Sequence, residues 1–312
     1  MLQFFVLSAP LFAIVLAGYG IGLWPRWQRN WTSLASKAVF RLLLPALLFH
    51  LLSDLSALPP VDTRLLIAFF GGCLIVFAIG RVVAAKVFRM DGVSQSIFSL
   101  GGIFSNNVLL GLPLAKLTLG NGALPSVVLV LAFNSLTLWT LVSVSIEWAL
   151  HGSFTIAGFG KTALSVLKNP IILAILSGTA FGLTGLSLPG LIEILLSVLS
   201  QLAAPVALLV LGMGLAEYGI RSAWQQSVAI SALKLVVQPL VVWMLGAAIG
   251  LPAMELKVVV LLASMSVGVN VYLMSEQFRT LQSAVASSLV LSTALASITT
   301  PLLLTALNAS VK

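Results

Sequence analysis

The chain has 312 residues, of which 60% are hydrophobic and 8% are charged, and its mean hydropathy is +1.14. Soluble domains carry about 25% charged residues, so this composition excludes a water-soluble globule, and it also excludes a disordered chain. The apolar runs are long and unbroken, which argues against a barrel of alternating strands. The composition therefore predicts an all-α membrane protein with several membrane-spanning helices.

The net charge of +8 does not indicate a nucleic-acid partner, because the Lys and Arg residues are spread singly through short loops. The single cysteine, Cys73, cannot form an internal disulfide, and the two histidines are not at the spacing of metal ligands. Neither a phosphate-binding loop nor a metalloprotease motif occurs. We expect no enzyme, no cofactor and no bound metal, with the lipid bilayer as the surrounding medium.

Ten apolar segments are long enough, or nearly so, to cross a bilayer, which takes about 20 helical residues. In chain order they are residues 3–23, 35–53, 65–86, 94–118, 123–149, 162–184, 188–216, 223–250, 255–276 and 282–307. The first has no Lys or Arg before it and is longer than the apolar part of a signal peptide, so we interpret it as a retained helix.

The two halves of the sequence repeat at an offset of 160 residues. "APLFAIVLAGYGIGL" matches "NPIILAILSGTAFGL", so that Pro10 aligns with Pro170, and Pro45 of the second segment aligns with Pro205 of the seventh. Each half then holds five segments, residues 1–150 and 162–312. Because five is odd, the second half enters the membrane upside down, which gives the inverted repeat that is typical of many secondary transporters.

The distribution of positive charge predicts the orientation. The odd-numbered loops carry ten Lys and Arg residues, whereas the even-numbered loops and the C-terminus carry four. Loops rich in Lys and Arg face the cytoplasm. We therefore expect both termini on the non-cytoplasmic side of a bacterial inner membrane.

Segment four contains a cluster of residues that interrupt helices. It reads "SLGGIFSNNVLLGLPLAKL", with Asn106, Asn107, Gly111 and Pro113 in its middle. Proline removes a backbone donor and glycine permits unwinding, and an unwound stretch survives in a membrane only where it lines a cavity or is buried in protein. This pattern indicates a binding site, and the alternative is a proline-kinked helix whose Asn residues bond neighbouring helices.

Segment nine carries a corresponding interruption, "ASMSVGVNVYLMSEQF", with Gly268 and Asn270 in its middle. Paired interruptions in the two halves of a carrier mark its substrate site. Two broken helices that cross would present the N-termini of their half-helices, which carry partial positive charge and free N–H groups. Such a site suits a carboxylate.

Three further residues are candidates for shaping or completing this site. Lys234 lies well inside segment eight, where a charged side chain is costly. It is a candidate for contacting the substrate anion, for bracing an unwound helix in place of a cation, or for snorkelling to the membrane surface. Pro45 and Pro205 occupy equivalent places in the two halves and are candidates either for packing kinks or for shaping the cavity.

Acidic residues are missing from the middle of every segment. Proton and sodium carriers often use buried carboxylates, so their absence argues against a cation antiporter. It also leaves the coupling ion, proton or sodium, open.

Several of these stretches resemble the auxin efflux carrier family, which includes plant PIN-type carriers and bacterial carriers of malonate and other organic acids. "NNVLLGLPL" from Asn106 is similar to the family's fourth-helix motif, Asn-x-x-x-x-Gly-[Ile/Leu/Met]-Pro-Leu. "FRLLLPALLF" resembles its second helix, "NPIILAILSG" its sixth and "GVNVYLMSEQF" the bacterial form of its ninth. The resemblance covers the whole chain.

This resemblance implies ten transmembrane helices in two inverted five-helix repeats, with broken, crossing helices 4 and 9 like those of NhaA-type antiporters and bile-acid symporters. It implies a scaffold of helices 1, 2, 6 and 7, a transport domain of helices 3–5 and 8–10, and substrate bound beside the crossing. Asn106 and Pro113 match the family's crossover residues, and Asn270 matches the bacterial asparagine. The family commonly has proline before the second crossover, where this chain has Ser266. A homodimer is compatible with the resemblance.

The sequence as a whole predicts a secondary or facilitative carrier of small organic anions, of malonate-like mono- or dicarboxylates, that works by an elevator-like alternation of access. The alternatives are an exporter of an auxin-like aromatic carboxylate and a membrane sensor that uses a carrier fold without transport. Glycines at helical spacing in segments one and six, Gly18 with Gly22 and Gly178 with Gly182, predict close helix contacts.

Overall fold

The computed structural model describes residues 2–24, 34–35, 37–53, 61–151, 170–218 and 223–310. These residues are almost entirely helical, and within them no strand forms beyond one isolated bridge between Ser105 and Val267. A helix satisfies its own backbone N–H and C=O groups, which is the requirement that a hydrocarbon environment sets. The all-helical fold predicted from composition is therefore what the structure shows.

Thirteen α-helices are formed by the described residues. They are α1 (Leu2–Gly22), α2 (Leu44–Leu52), α3 (Leu65–Lys86), α4 (Gly92–Ile103), α5 (Leu112–Leu119), α6 (Leu124–His151), α7 (Pro170–Leu183), α8 (Gly190–Tyr218), α9 (Trp224–Ala232), α10 (Gln238–Ala248), α11 (Ala253–Ala263), α12 (Val269–Gln277) and α13 (Gln282–Ser310). Five helical stretches among the described residues are long and apolar enough to cross a membrane: 65–86, 121–150, 190–216, 224–248 and 282–307. Segments four and nine are each divided between two helices, α4 with α5 and α11 with α12.

In the described parts of the chain, three segments contain a widened π-helical turn of five residues, and each turn ends two residues before a proline. The turns are Val39–Leu43 before Pro45, Asn107–Gly111 before Pro113, and Leu233–Val237 before Pro239. Proline lacks an N–H group, and its ring clashes with the carbonyl four residues earlier. The wider turn accommodates that clash without ending the helix. Pro205, in contrast, lies inside the continuous helix α8.

The helices form two compact units, each with its own set of internal contacts. The first unit is the described part of Met1–Ala9, Val61–Thr162 and Tyr218–Lys312, and the second is the described part of Pro10–Pro60 and Ala163–Glu217. The first unit contains both interrupted segments. Pro45 and Pro205 belong to the second unit.

Helices in the second unit approach each other at glycines, as the glycine spacing predicted. A Cβ atom added at Gly18 of α1 would lie 2.1 Å from the carbonyl oxygen of Leu209 in α8. At Gly178 of α7 it would lie 2.9 Å from backbone atoms of Phe49 in α2. Because the obstructing atoms are backbone, no side-chain rotation can relieve either clash. The close contacts predicted for Gly18 and Gly178 are confirmed.

Replacing Gly18 with alanine should therefore lower the stability of the protein by about 1–3 kcal/mol, the usual cost of overpacking. Gly20→Ala is the matched control, because it lies on the same helix and a Cβ atom there meets nothing within 4 Å. The control should be neutral or stabilising by up to ~1 kcal/mol, since alanine favours the helix. Thermal unfolding of both variants in detergent tests this, and equal melting temperatures would contradict the close crossing of α1 and α8.

Helix α4 begins at a carboxylate cap. The Asp91 carboxylate accepts hydrogen bonds from the backbone N–H groups of Val93 and Ser94 and from the Ser94 hydroxyl. The Ser94 hydroxyl also lies 2.7 Å from the hydroxyl of Thr280, which follows α12. These bonds, first of all the one from the Ser94 hydroxyl, lower the pKa of Asp91 from its usual value of 3.8. The cap therefore also joins the start of α4 to the loop after α12.

Asp91→Ala should destabilise the protein by about 1 kcal/mol, as the loss of a helix cap does, and Asp91→Asn should retain most of the cap. Because the folded-state pKa of Asp91 is lowered, the advantage of wild type over Asp91→Asn is present above the ordinary carboxyl pKa. It should disappear as the pH falls below about 4 through the lowered value. Melting temperatures measured from pH 7 to pH 3 test this, and an advantage that grows on acidification would contradict it.

Candidate functional site

Segment four is interrupted immediately after α4. Helix α4 ends at Ile103, and Phe104, Ser105 and Asn106 are not helical. The chain then enters the π-helical turn Asn107–Gly111, which continues into α5. The interruption therefore lies just before the pair of Asn residues.

Gly111 and Pro113 are helical, so the expectation that they lie inside the unwound stretch was wrong. Gly111 has helical dihedral angles (φ −64°, ψ −48°), and Pro113 lies in the first turn of α5. Proline is tolerated in a first turn because the N–H that it lacks has no partner there. Pro113 is associated with the widened π-helical turn that precedes it and does not break the helix.

Segment nine is interrupted in the same manner. Helix α11 ends at Ala263, residues 264–268 are not helical, and α12 begins at Val269. Gly268 lies in the interruption, where a Cβ atom would approach Phe104 Cδ1 to 2.9 Å. Only glycine leaves room for this approach. Asn270 is the second residue of α12 and is half-buried.

The two interruptions cross and bond to each other through their backbones. The Asn106 N–H donates to the Ser266 carbonyl at 2.9 Å, and the Gly268 N–H donates to the Phe104 carbonyl at 2.8 Å. We call residues 104–106 and 266–268 the crossover. The exchange satisfies backbone groups that the broken helices leave without partners, which a buried chain requires.

Several side-chain atoms at the crossover are buried and find no hydrogen-bond partner within the described residues. They are the hydroxyls of Ser105 and Ser266, the amide nitrogen of Asn106, and both the amide nitrogen and the amide oxygen of Asn107. A buried polar atom without a partner costs about 1–3 kcal/mol. Five such atoms around one crossing are costly for stability alone, and they offer both donors and acceptors to a polar ligand.

Half-helices begin at the crossover on both arms. The π-helical turn and α5 start at Asn107, and α12 starts at Val269. The first N–H groups of a helix lack intrahelical partners and carry partial positive charge. Asn106 and Asn270 lie within one or two residues of these starts. The crossover thus combines neutral donors with helix ends that favour an anion.

Lys234 lies in the π-helical turn of segment eight and is fully buried, which excludes snorkelling. Its ammonium group donates to the carbonyl oxygen of Ala263 at 2.5 Å. Gln238, also fully buried, donates from its amide to the carbonyl oxygen of Ile103 at 2.9 Å. Gln238 was not among the site residues predicted from the sequence. The available signal was its position four residues after Lys234 and directly before Pro239.

A separate cavity of about 490 Å³ lies within the second unit. His50 and Glu193 line it, and the His50 Nε2 and Glu193 Oε1 atoms are 2.9 Å apart. Neither Pro45 nor Pro205 is among its lining residues. Among the described residues no group of His, Cys, Asp and Glu side chains is arranged to hold a metal ion.

Comparisons with known proteins show similarity to membrane transport proteins. Residues 4–304 match the model of a family described as membrane transport protein. A protein of Rhizobium meliloti (strain 1021) named "Putative malonate transporter" is 25% identical over 295 residues, which cover 93% of this chain and 91% of that protein. With its apolar helices, the chain is an integral membrane protein and a transporter, not an enzyme. The chain belongs to the auxin efflux carrier family of membrane transport proteins.

Proposed function

We propose that the protein is a secondary or facilitative carrier of small organic anions, malonate-like mono- or dicarboxylates, and that it binds them at the crossover. The observation that carries this proposal is the cluster of unpartnered buried side-chain atoms where two half-helices begin. The name of the Rhizobium meliloti relative supports the same substrate class.

The chemistry of the crossover suits a carboxylate better than a cation. Amide nitrogens, hydroxyls and helix N-termini all donate hydrogen bonds to an anion. The crossover residues 104–106 and 266–268 include no acidic side chain. In our proposal Asn106, Asn107 and Asn270 hold the carboxylate, while Gly111 and Gly268 give the two arms room to approach. Pro113 shapes the helical turn that presents Asn107.

Elevator-like movement is the mechanism that we propose for alternating access. The division of contacts into two compact units supports it, because both arms of the crossover lie in one unit and a bound anion would move with that unit. In this proposal segments one, two, six and seven form the scaffold, and segments three to five and eight to ten carry the substrate. Pro45 and Pro205 then belong to the scaffold and shape its helices.

Purified protein in proteoliposomes should take up radiolabelled malonate, and Asn106→Ala and Asn270→Ala should each weaken malonate binding about 10- to 150-fold. The reason is that one hydrogen bond to a charged group contributes about 1.5–3 kcal/mol. Calorimetry on monodisperse protein measures the affinity.

Ser99→Ala is the matched control, because the Ser99 hydroxyl is buried in α4 but bonds to its own helix at the Gln95 carbonyl. The control should bind malonate as wild type does. Asn107→Ala cannot serve as a control, because in our proposal Asn107 also holds the carboxylate. Wild-type affinity in both Asn variants would move the site away from the crossover. Transport of an aromatic acid in place of malonate, or ligand binding without any flux, would favour the exporter or the sensor.

A bacterial inner membrane with both termini on its outer side is the proposed setting. The excess of Lys and Arg in the odd-numbered loops supports this orientation. Cysteine labelling can test it cleanly, because Cys73 is buried and contributes little background. In spheroplasts, Ser187→Cys in the exposed loop after α7 should react with an impermeant maleimide. Arg89→Cys, in the exposed loop after α3, should react only after lysis, and the reverse pattern would invert the topology.

A further inference from the structure

Both broken helices end at the crossover, and each end exposes backbone carbonyls that have no helical partner. Helix α4 ends at Ile103 and α11 ends at Ala263. The last carbonyls of a helix carry partial negative charge, and when buried they need donors from elsewhere. The crossover bonds do not supply them, because those bonds engage the carbonyls of Phe104 and Ser266.

Two donors from a single segment engage these two carbonyls. The Lys234 ammonium group bonds to the Ala263 carbonyl at 2.5 Å, and the Gln238 amide bonds to the Ile103 carbonyl at 2.9 Å. The two side chains are four residues apart and both are fully buried. Each donor therefore serves the end of a different broken helix.

Helix α4 and segment eight pack closely, which helps to bring Lys234 and Gln238 within hydrogen-bonding distance of the two carbonyls. A Cβ atom at Gly101 would lie 2.7 Å from Ile230 Cγ2, and one at Gly102 would lie 3.1 Å from Leu233 Cβ. The π-helical turn Leu233–Val237, which precedes Pro239, contains Lys234 and leads directly to Gln238. Since a wider turn changes the direction in which side chains leave a helix, the turn helps to set both donors toward the crossover.

We propose that Lys234 and Gln238 are positioning residues that hold the C-terminal ends of both broken helices together, and so keep the crossover in its anion-binding arrangement. Neither residue contacts the anion; the ammonium group acts on a carbonyl at the end of α11. The inference rests on the proposed function only for its transport readout, because the arrangement of the crossover can be measured without a substrate.

Hydrogen–deuterium exchange followed by mass spectrometry measures the protection of the crossover amides, and so tests whether the crossover keeps its arrangement. In the full-length protein, Gln238→Met and Lys234→Met each remove one donor while keeping a side chain of similar length. Exchange should rise in peptides covering 104–111 and 264–270, where the Asn106 and Gly268 amides are bonded, and should stay unchanged in residues 190–216 of α8, which belong to the other compact unit. Ser231→Ala is the control: Ser231 is buried on α9, and within the described part of the chain its hydroxyl donates to the Ser227 carbonyl of its own helix.

Transport kinetics supply the second readout. The KM for malonate should rise about tenfold in both variants, with kcat within about threefold of wild type, because misplaced donors weaken binding of substrate and transition state alike.

Gln238→Met keeps the test decisive if Lys234→Met does not fold. Unchanged exchange at the crossover in the folded variants would overturn the proposal. So would a rise that includes residues 190–216 of α8, since that indicates a general loss of stability, and so would an unchanged KM beside raised exchange. If wild type transports no malonate but the variants loosen the crossover alone, the positioning role stands and the proposed substrate falls.

Discussion

The structure depends on one requirement, that every backbone polar group inside an apolar environment must find a partner within the protein. Most of the chain meets it by forming helices. Two segments do not, and there the requirement is met by exchange: each interruption supplies the partner that the other needs, through the bonds from Asn106 to Ser266 and from Gly268 to Phe104. Each interruption therefore depends on the other for a backbone bond.

The same requirement separates two kinds of polar group near the crossing. Six backbone bonding groups are satisfied inside the protein: the two crossover bonds pair four of them, and Lys234 and Gln238 engage the carbonyls of Ala263 and Ile103. The side chains of Ser105, Asn107 and their neighbours are left unsatisfied. A rigid backbone frame with unsatisfied side-chain groups is the arrangement that a binding site needs, because the frame holds its geometry while the side chains retain their capacity to bond.

Much of this arrangement could be predicted from the sequence, and the failures have physical causes. Helical membrane architecture follows from composition, and the site of the interruptions follows from Asn106 and Gly268. Pro113 led to a wrong prediction for the position of the first break. A proline near the start of a helix produces a widened helical turn before it and not a break. Gln238 was not predicted because an uncharged amide in an apolar segment is not a conspicuous sequence pattern. The carbonyl to which it donates, that of Ile103, is known only from the structure. The division into two units depends on contacts between distant segments, which no local pattern records.

The exchange of bonds at the crossover runs through the main chain, and this has a consequence for how such proteins can diverge. To the crossing bonds Ser266 contributes its carbonyl, a group that proline would contribute equally, so serine in place of proline leaves the crossing intact. The main-chain bonds themselves thus leave side-chain identity free at Ser266. Chain length is not free, because adding or deleting one residue in either interruption would shift the antiparallel register and break both bonds at once. Insertions and deletions should accordingly accumulate in the loops between helices and be excluded from the two short stretches where the helices cross.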